Sequence, residues 1–373
     1  MTRKTLAAVL RADGTTPLET IELPERQPGD LLVRLRACGV CTGEAMRWYT
    51  AGKTSAILGH EVVAEVLEGG EGTAFKPGDR IFPHHHAPCG ECEACRGGHE
   101  SSCDAWKKSR LVPGGYAREF IVPAWNARRD TRLIPPALSD DAAIFIEPVA
   151  CVVRALHKAS GTLPSPTAPS MEVPAGGRGF QRIAILGLGF MAQLCARLFK
   201  ERFPGARIAA TELIPERREQ GRALGLHAIL DASLPDLPSA LARELGGEPE
   251  LVVVCPSSAR AVAQGLSLAA PGGRVVLFAP PAPKDPVAVD FNRLYFRETS
   301  IVSAFSCGPA DVLESLLWCQ RLASDFEGMI SHRWPLDRVG EALSAIAAQD
   351  PGVLKVVVRT PPGLPLAESQ GEE

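Results

Sequence analysis

One short segment with four cysteines carries the clearest chemical signal in this chain. The four are Cys89, Cys92, Cys95 and Cys103. Four thiolates satisfy the tetrahedral preference of Zn²⁺ and leave no open position for a substrate, so the spacing predicts a structural zinc site. Two alternatives stay open on the spacing alone: an iron–sulfur cluster, which also takes four cysteines, and disulfide bonds.

Other metal-binding residue types stand far apart along the chain. They are Cys41, the adjacent pair His60 and Glu61, and Glu147, which precedes Pro148. Each is a weak signal by itself. A single histidine is more often a satisfied polar group than a ligand, and a single glutamate before proline is usually an exposed carboxylate.

A glycine-rich turn indicates a dinucleotide site. Its fixed positions are Gly187, Gly189 and Ala192, in the pattern Gly-x-Gly-x-x-Ala. The turn follows the strand-like run 182–186 and opens the helical run 191–202, which is the context this motif requires. The glycines let the backbone approach a pyrophosphate, the helix N-terminus attracts its charge, and the small alanine allows close packing.

The next strand-like run ends at an acidic residue, Glu212. A carboxylate there accepts hydrogen bonds from ribose hydroxyls and repels a 2′-phosphate, which favours NAD over NADP. Arg217 and Arg218 follow and are able to accept a phosphate, so NADP stays open as the less favoured cofactor. An ordinary exposed carboxylate is the alternative interpretation of Glu212.

The elements around these residues change in character along the chain. Residues 1–130 show short apolar runs separated by turns, which predicts a β-rich region. Residues 142–158 have helical spacing, and 161–179 form a Pro-, Gly- and Ser-rich loop. Alternating strands and helices then predict a parallel doubly wound sheet. We expect a first domain over 1–158, a nucleotide-binding domain over 159–308, and a return to the first domain over 309–373 with a disordered tail.

Length and composition set the class of protein. A chain of 373 residues is expected to form two domains. The net charge of −3 gives no general attraction to nucleic acid or to an anionic membrane. No apolar run reaches the roughly 18 to 20 residues of a membrane span, and the N-terminal run at 5–10 indicates a strand rather than a signal peptide, so we expect a cytoplasmic protein.

The order of these motifs resembles the zinc-dependent medium-chain dehydrogenase/reductase family over nearly the whole chain. The shared features are Cys41, the Gly-His-Glu at 59–61, Lys-Pro-Gly-Asp-Arg at 76–80, the four cysteines, Gly114–Ala124 and Glu-Pro at 147–148. The resemblance is closest to the sorbitol/iditol dehydrogenase-like and threonine dehydrogenase-like branch. It implies a GroES-like β-rich catalytic domain joined to a Rossmann domain, and a homodimer or homotetramer.

The same resemblance implies the roles of individual residues. Cys41 and His60 are expected to bind a catalytic zinc, and Glu61 and Glu147 to be ligands or close neighbours, one of them through water. With the four-cysteine site this makes two Zn²⁺ per chain. The ion would polarise the substrate oxygen and prepare the alcohol for hydride loss.

The chain departs from the family where a hydroxyl and a histidine usually relay the alcohol proton. Gly43 and Met46 occupy those two positions. Thr42 and Glu44 are the nearest replacements, and Glu61, a water chain or a nearby histidine are others. Of the triple histidine at 84–86, His85 has the position at which relatives line the substrate pocket, although such a triplet also suits metal storage or an exposed strand end.

Together these features predict a zinc- and NAD-dependent oxidoreductase that acts on a secondary alcohol or its ketone. A polyol, sugar or amino alcohol is expected as the small-molecule substrate. The absent relay leaves room for a non-catalytic NAD- and zinc-binding sensor or scaffold. The metal-binding residue types argue against a third alternative, a zinc-free reductase.

Overall fold

A computed structural model describes residues 3–53, 56–165, 167–172 and 176–360. The strands are β1 Lys4–Ala8, β2 Leu18–Glu22, β3 Leu31–Gly39, β4 Glu61–Glu68, β5 Arg80–Pro83, β6 Glu119–Val122, β7 Thr131–Leu133, β8 Arg182–Leu186, β9 Arg207–Glu212, β10 Ala228–Asp231, β11 Leu251–Val254, β12 Arg274–Leu277, β13 Ser300–Ser303, β14 Ile330–Pro335 and β15 Lys355–Arg359.

The helices are α1 Arg47–Thr50, α2 Glu93–Arg96, α3 Asp104–Lys108, α4 Ala124–Arg129, α5 Asp140–Ala143, α6 Ile146–Ser160, α7 Phe190–Arg202, α8 Pro215–Gly221, α9 Leu237–Leu245, α10 Ala259–Leu268, α11 Phe291–Phe296, α12 Pro309–Arg321, α13 Ala323–Glu327 and α14 Val339–Ala347. Short 3-10 turns occupy Thr42–Ala45, Glu100–Ser102, Arg222–Leu224 and Leu336–Arg338. Within the described ranges no helix is both long and apolar enough to cross a membrane.

The chain divides into two compact units. The first contains residues 1–147 and 319–373, and the second contains residues 148–318. The divisions fall inside α6 and α12. The domain bounds 1–158, 159–308 and 309–373 expected from the sequence stay a prediction. The predicted disordered tail at 361–373 lies outside the described residues, as does part of the loop 161–179.

The first unit is rich in β-structure. Its described strands form a hairpin, β1–β2, and a seven-stranded sheet ordered β14-β15-β3-β4-β5-β7, with β6 paired to β3. The pairs are antiparallel except β14 with β15. Apolar side chains of β3, β4 and β15 form its core with α14. This arrangement confirms the predicted β-rich domain.

The second unit is a parallel doubly wound sheet. Its described strands are ordered β10-β9-β8-β11-β12-β13, and every neighbouring pair is parallel. Apolar runs such as β8 and β11 are buried on both faces, as parallel strands require. The order reverses between β8 and β11, the point at which such sheets bind ligands. The Rossmann prediction is confirmed.

The helical spacing at 142–158 resolves into two helices rather than one. Helix α5 ends at Ala143 and α6 begins at Ile146. The physical reason is Pro148, which lacks an amide hydrogen and whose ring would clash with the carbonyl four residues earlier if the helix were continuous. In the first turn of α6 the missing amide hydrogen costs nothing.

Candidate active site

The first unit brings together three of the predicted metal-binding side chains. Cys41 follows the end of β3, and His60 and Glu61 stand at the start of β4. Antiparallel pairing puts Gly39 opposite Glu61, so the two segments meet. One potential ligand atom from each of Cys41, His60 and Glu61 lies within 4.8 Å of the other two. A thiol, an imidazole and a carboxylate form a donor set that suits Zn²⁺.

A buried carboxylate fixes the imidazole of His60. Glu44 Oε1 accepts hydrogen bonds from His60 Nδ1 and from the amide of Gly59, both at 2.8 Å. Glu44 Oε2 accepts one from the hydroxyl of Tyr116 at 2.5 Å. Because Nδ1 is engaged, Nε2 is the nitrogen available to a metal. A carboxylate behind a metal-binding histidine sets its tautomer and raises its basicity.

Burial and charge act against each other in this pair. Burial alone would raise the pKa of Glu44, but His60, Tyr116 and the Gly59 amide outweigh it and lower that pKa. Burial would likewise lower the pKa of His60, but the charges of Glu44 and Cys41 raise it well above its usual value. Glu44 is therefore an anion that holds the ring, with both oxygens already engaged.

A second buried pair stands on the other side of the group. Glu61 Oε2 contacts Lys355 Nζ, and both side chains are 1% exposed. Lys355 Nζ also donates to the carbonyl of Val40 at 3.2 Å. The absent side chain of Gly39 makes room for the pair, since a Cβ there would lie 1.9 Å from Glu61 Oε2 and 2.9 Å from Lys355 Cε. Glu61 is thus an ion-paired anion beside Cys41 and His60.

The triple histidine forms a row of rings. His84 is fully buried and its Nδ1 bonds Asp130 at 2.6 Å. The ring of His85 lies 4.8 Å from that of His60, and its buried Nδ1 has no hydrogen-bond partner among the residues that the structure describes. His86 stacks on Trp106. Burial, then the charge of His84, lowers the pKa of His86 to about 4. The row therefore starts beside the metal-binding group.

Two predicted residues are placed less closely. Glu147 is buried but is not in the group formed by Cys41, His60 and Glu61 among the described side chains. One of its oxygens lies within 4.8 Å of a ring nitrogen of His84. Thr42 is exposed and opens the 3-10 turn that carries Glu44.

The four cysteines gather into one cluster. Their sulfur atoms all lie within 4.8 Å of one another, with Cys92 Sγ 3.4 Å from Cys95 Sγ. The amides of Cys89 and Cys92 point at Cys103 Sγ and Cys89 Sγ, at 3.4 and 3.3 Å. Burial opposes the thiolate of Cys103, but hydrogen bonds from the backbone amides of Cys89 and Trp106 and from the Cys89 thiol lower its pKa to about 6. The donor set fits one tetrahedral zinc.

The second unit shapes the glycine-rich turn. Gly187 has a φ of 84°, and a Cβ there would lie 3.1 Å from Pro256. Gly189 precedes α7 and faces open space, because a Cβ there would meet nothing within 4 Å. Ala192 is buried in the first turn of α7. The turn therefore leaves room for a phosphate at a helix N-terminus.

The carboxylate of Glu212 accepts hydrogen bonds from this turn and from the residues that follow β9. Its Oε2 accepts the amide of Leu188 at 2.8 Å, and its Oε1 accepts the amides of Leu213 and Ile214 at 2.8 and 3.0 Å. Glu212 is 7% exposed, so it is not an ordinary surface carboxylate. Arg217 is half-buried on α8.

Sequence reasoning missed several residues of these sites. Four side chains of the sites have partners that were not considered: Glu44 bonds Tyr116, His84 bonds Asp130, Glu61 pairs with Lys355, and Arg218 pairs with Asp231. Only Tyr116 lies in a motif noted above. The other three had no local signal, because each meets its partner only when separate elements of the fold pack together.

Family models match two parts of the chain. Residues 27–130 match the alcohol dehydrogenase GroES-like domain, and residues 187–321 match the zinc-binding dehydrogenase domain. An alcohol dehydrogenase of Aspergillus clavatus is 31% identical over 252 residues, which are 66% of this chain and 59% of that protein. An L-threonine 3-dehydrogenase of Burkholderia vietnamiensis is 26% identical over 363 residues, 94% of this chain and 97% of the other.

Solved structures show the same architecture. A zinc-binding dehydrogenase from Sinorhizobium meliloti, bound to NADP, has a TM-score of 0.78 at 25% identity and covers 96% of this chain and 99% of its own. An alcohol dehydrogenase from Thermotoga maritima has a TM-score of 0.80 over 96% of this chain and 100% of its own. At 19% identity the second likeness concerns the fold alone.

The chain belongs to the zinc-dependent medium-chain dehydrogenase/reductase family. It is accordingly a zinc-dependent oxidoreductase that acts on a small-molecule alcohol with a nicotinamide cofactor. None of these comparisons supports the alternative of a non-catalytic sensor or scaffold.

Proposed function

We propose that this chain oxidises a secondary alcohol of the polyol, sugar or amino-alcohol type with NAD, or reduces the corresponding ketone. The observation that carries the proposal is the convergence of Cys41, His60 and Glu61, with Glu44 fixed behind His60. Relatives aligned along most of the chain are named L-threonine 3-dehydrogenases, and threonine is an amino acid with a secondary hydroxyl. This supports the amino-alcohol end of the proposed range.

Two zinc ions per chain are part of the proposal. Cys41 and His60 would hold the catalytic ion, with Glu61 or Glu147 completing its set, and the four cysteines would hold the structural ion. When bound, the catalytic ion supplies a Lewis acid that lowers the pKa of the substrate hydroxyl. Glu44 keeps His60 oriented, and Lys355 holds the carboxylate of Glu61 close to the group.

The proton released from the alcohol needs a carrier to solvent. Glu44 is a poor carrier because both its oxygens are engaged by His60, Gly59 and Tyr116. Glu61 is a poor carrier because it is buried against Lys355. Thr42 is exposed and adjacent to Cys41, which favours its hydroxyl as the first carrier. We expect Thr42→Ala to shift the pH–rate profile. An unchanged profile would exclude Thr42 as the proton carrier.

NAD is proposed as the cofactor because of the glycine-rich turn and Glu212 in the second unit. Gly187, Gly189 and Ala192 would receive the pyrophosphate at the start of α7. Glu212 is held as an acceptor at the end of β9, where it would bond ribose hydroxyls and repel a 2′-phosphate. Arg217, on the following helix, is proposed to line the adenosine side.

The direct test is NADH formation, followed by absorbance, with a panel of polyols, sugars and amino alcohols. We expect turnover of at least one substrate, loss of turnover with a zinc chelator, and recovery on adding Zn²⁺. A Cys41→Ala variant serves as the matched control, since it keeps the four-cysteine loop. A protein that binds NAD and two zinc ions but turns over no substrate would instead be the non-catalytic module.

We also propose a homodimer or homotetramer, supported by one surface of the second unit. Strand β13 ends the sheet and pairs with β12 alone among the described strands. Large apolar side chains cluster there with high exposure: Phe291, Tyr295, Phe296, Ile301 and Phe305. An exposed apolar surface made by β13 and the preceding helix α11 is an aggregation hazard in a monomer, and a symmetric copy would cover it. Light scattering should show a smaller species for Ile301→Lys than for the wild type.

A cytoplasmic location stays a prediction.

A further inference from the structure

An ion pair stands directly beside Glu212 in the second unit. The parallel register of β9 and β10 places Asp231 next to Glu212 at the carboxyl ends of both strands. Arg218 of α8 spans the two strand ends. Its Nη2 contacts Asp231 Oδ2 at 3.0 Å, and its Nη1 donates to the carbonyl oxygens of Glu212 and Leu213, each at 2.8 Å.

Asp231 is itself held in place. Its Oδ1 accepts hydrogen bonds from the amide and the hydroxyl of Ser233, at 2.8 and 2.6 Å. These bonds, and the nearby charge of Arg218, lower the pKa of Asp231. The carboxylate is therefore a fixed anion, and it presents its other oxygen to the guanidinium.

The position of Arg218 matters for the choice of cofactor. NAD and NADP differ only by the phosphate on the ribose 2′-oxygen, and an arginine is the side chain best suited to bind it, through two parallel hydrogen bonds. Arg218 lies within hydrogen-bond reach of the backbone of Glu212, the residue proposed to hold that ribose. Its contacts with two carbonyls and one carboxylate occupy three of its five N–H donors and orient the guanidinium toward the ends of β9 and β10.

We propose that Asp231 holds Arg218 against the end of β9 and thereby withholds it from a 2′-phosphate. Asp231 is then a second determinant of NAD selectivity, acting through Arg218 and independently of the repulsion by Glu212. This inference rests on the proposed use of the Gly187–Ala192 turn and Glu212 by NAD. Asp231 and Arg218 would then determine the choice between NAD and NADP in this chain, although both lie outside the glycine-rich motif.

The test compares the binding of NAD⁺ and NADP⁺ to the zinc-loaded full chain by titration calorimetry. Asp231→Asn frees Arg218 and should lower the Kd for NADP⁺ relative to that for NAD⁺ by about tenfold, the usual scale of one charge-assisted contact to a phosphate. The matched control is Glu219→Gln. It also removes one carboxylate from this region, but Glu219 pairs with Arg222 on the exposed side of α8, so its Kd ratio should equal that of the wild type.

A double variant identifies the cation responsible. Adding Arg218→Met to Asp231→Asn should abolish the gain in NADP⁺ affinity. Ser233→Ala, which loosens Asp231 without removing its charge, should move the ratio in the same direction by a smaller factor. It also keeps the test usable if Asp231→Asn folds poorly, which thermal melting would reveal.

The outcomes separate this inference from the proposed function. If the wild type prefers NAD⁺ while Asp231→Asn and Ser233→Ala leave the ratio unchanged, or if the double variant keeps the gain, the role of Asp231 is wrong and the proposed cofactor stands. If the wild type binds NADP⁺ as tightly as NAD⁺, the proposed cofactor is wrong and the inference fails with it.

Discussion

The four-cysteine loop takes all its donors from residues 89–103, whereas the group of Cys41, His60 and Glu61 takes them from two segments joined by strand pairing. In the loop, thiols and nearby amides support one another. In the other group, His60 and Glu61 each have a buried partner, Glu44 and Lys355.

The difference concerns what each arrangement allows. A loop that supplies four thiolates can hold an ion but has no position left for a substrate, so its contribution is to stability. A mixed set backed by buried partners can be tuned through those partners without changing the donors themselves. We therefore expect perturbations of the loop to affect folding, and perturbations of the mixed set to affect metal affinity and turnover.

The largest expected effect separates the two sites directly. Cys41→Ser should lower kcat/KM by at least about a thousandfold, because the metal position is damaged, while the melting temperature changes little. Cys95→Ser should lower the melting temperature and retain turnover below it. The comparison requires kcat/KM, the melting temperature by calorimetry, and the zinc content of both variants. Equal losses of turnover and stability in both variants would show that the two sites do not differ in this way.

A buried ion pair gives the next largest effect. Lys355→Met leaves Glu61 unpaired at 1% exposure, which should lower the free energy of unfolding by about 3 to 5 kcal/mol. Lys355→Arg should recover part of this loss. Urea unfolding at neutral pH measures it, with the exposed Lys4→Met as the control. A loss below about 1 kcal/mol for Lys355→Met would mean that Glu61 is stabilised by something other than Lys355.

The carboxylate behind His60 should act first on zinc affinity at the mixed site. Glu44→Gln should weaken zinc binding at the mixed site by about 10- to 100-fold, because the imidazole loses its charged partner. Tyr116→Phe, which removes one donor to Glu44, should have a smaller effect. In competition with a chelator, the zinc of the mixed site should leave at a lower chelator concentration than in the wild type. Release of the zinc of the four-cysteine site should be unchanged. Simultaneous release of both ions would contradict the separation of the sites.

The smallest expected effect is a pH dependence of the free energy of unfolding that arises from His86. His86 has a pKa of about 4 in the folded chain and about 6.5 when unfolded, so the unfolded chain binds more protons between these values. The stabilisation is complete above pH 6.5 and is lost as the pH falls toward 4, by about 1 to 2 kcal/mol after allowing for partial exposure.

His86→Gln should flatten the stability profile in that window, measured by denaturant unfolding at successive pH values. The control is His332→Gln, at a half-buried histidine of β14 away from this row of rings, which should leave the slope as in the wild type. A slope unaffected by His86→Gln would assign the acid sensitivity to another group.

Features built from neighbouring residues were predictable from sequence. The four cysteines form one cluster, and the glycine-rich turn joins β8 to α7 as expected. Both depend on the spacing of residues within one short segment, which can be read directly from the sequence. The break between α5 and α6 was missed, although Pro148 is visible in the sequence, because apolar spacing continued across it.

Partners of the site residues were not predictable in the same way. Glu44 was considered as a proton carrier, and in the fold it bonds His60, Gly59 and Tyr116. Lys355 is separated from Glu61 by most of the chain, and nothing near either residue indicates the contact. Arg217 and Arg218 were both considered for a phosphate from the sequence, and in the fold it is Arg218 that contacts the backbone of Glu212 and the side chain of Asp231.

The sequence by itself therefore determined the family, the two kinds of domain and the types of residue available for chemistry. These follow from local spacing and from hydrophobic pattern, which are properties of short segments. Only the tertiary structure decided which group supports which side chain: buried Glu44 with His60, buried Lys355 with Glu61, and the partly exposed Asp231 with Arg218. Such pairs form where strands and helices from distant segments meet, and their energetics depend on burial that no short segment contains.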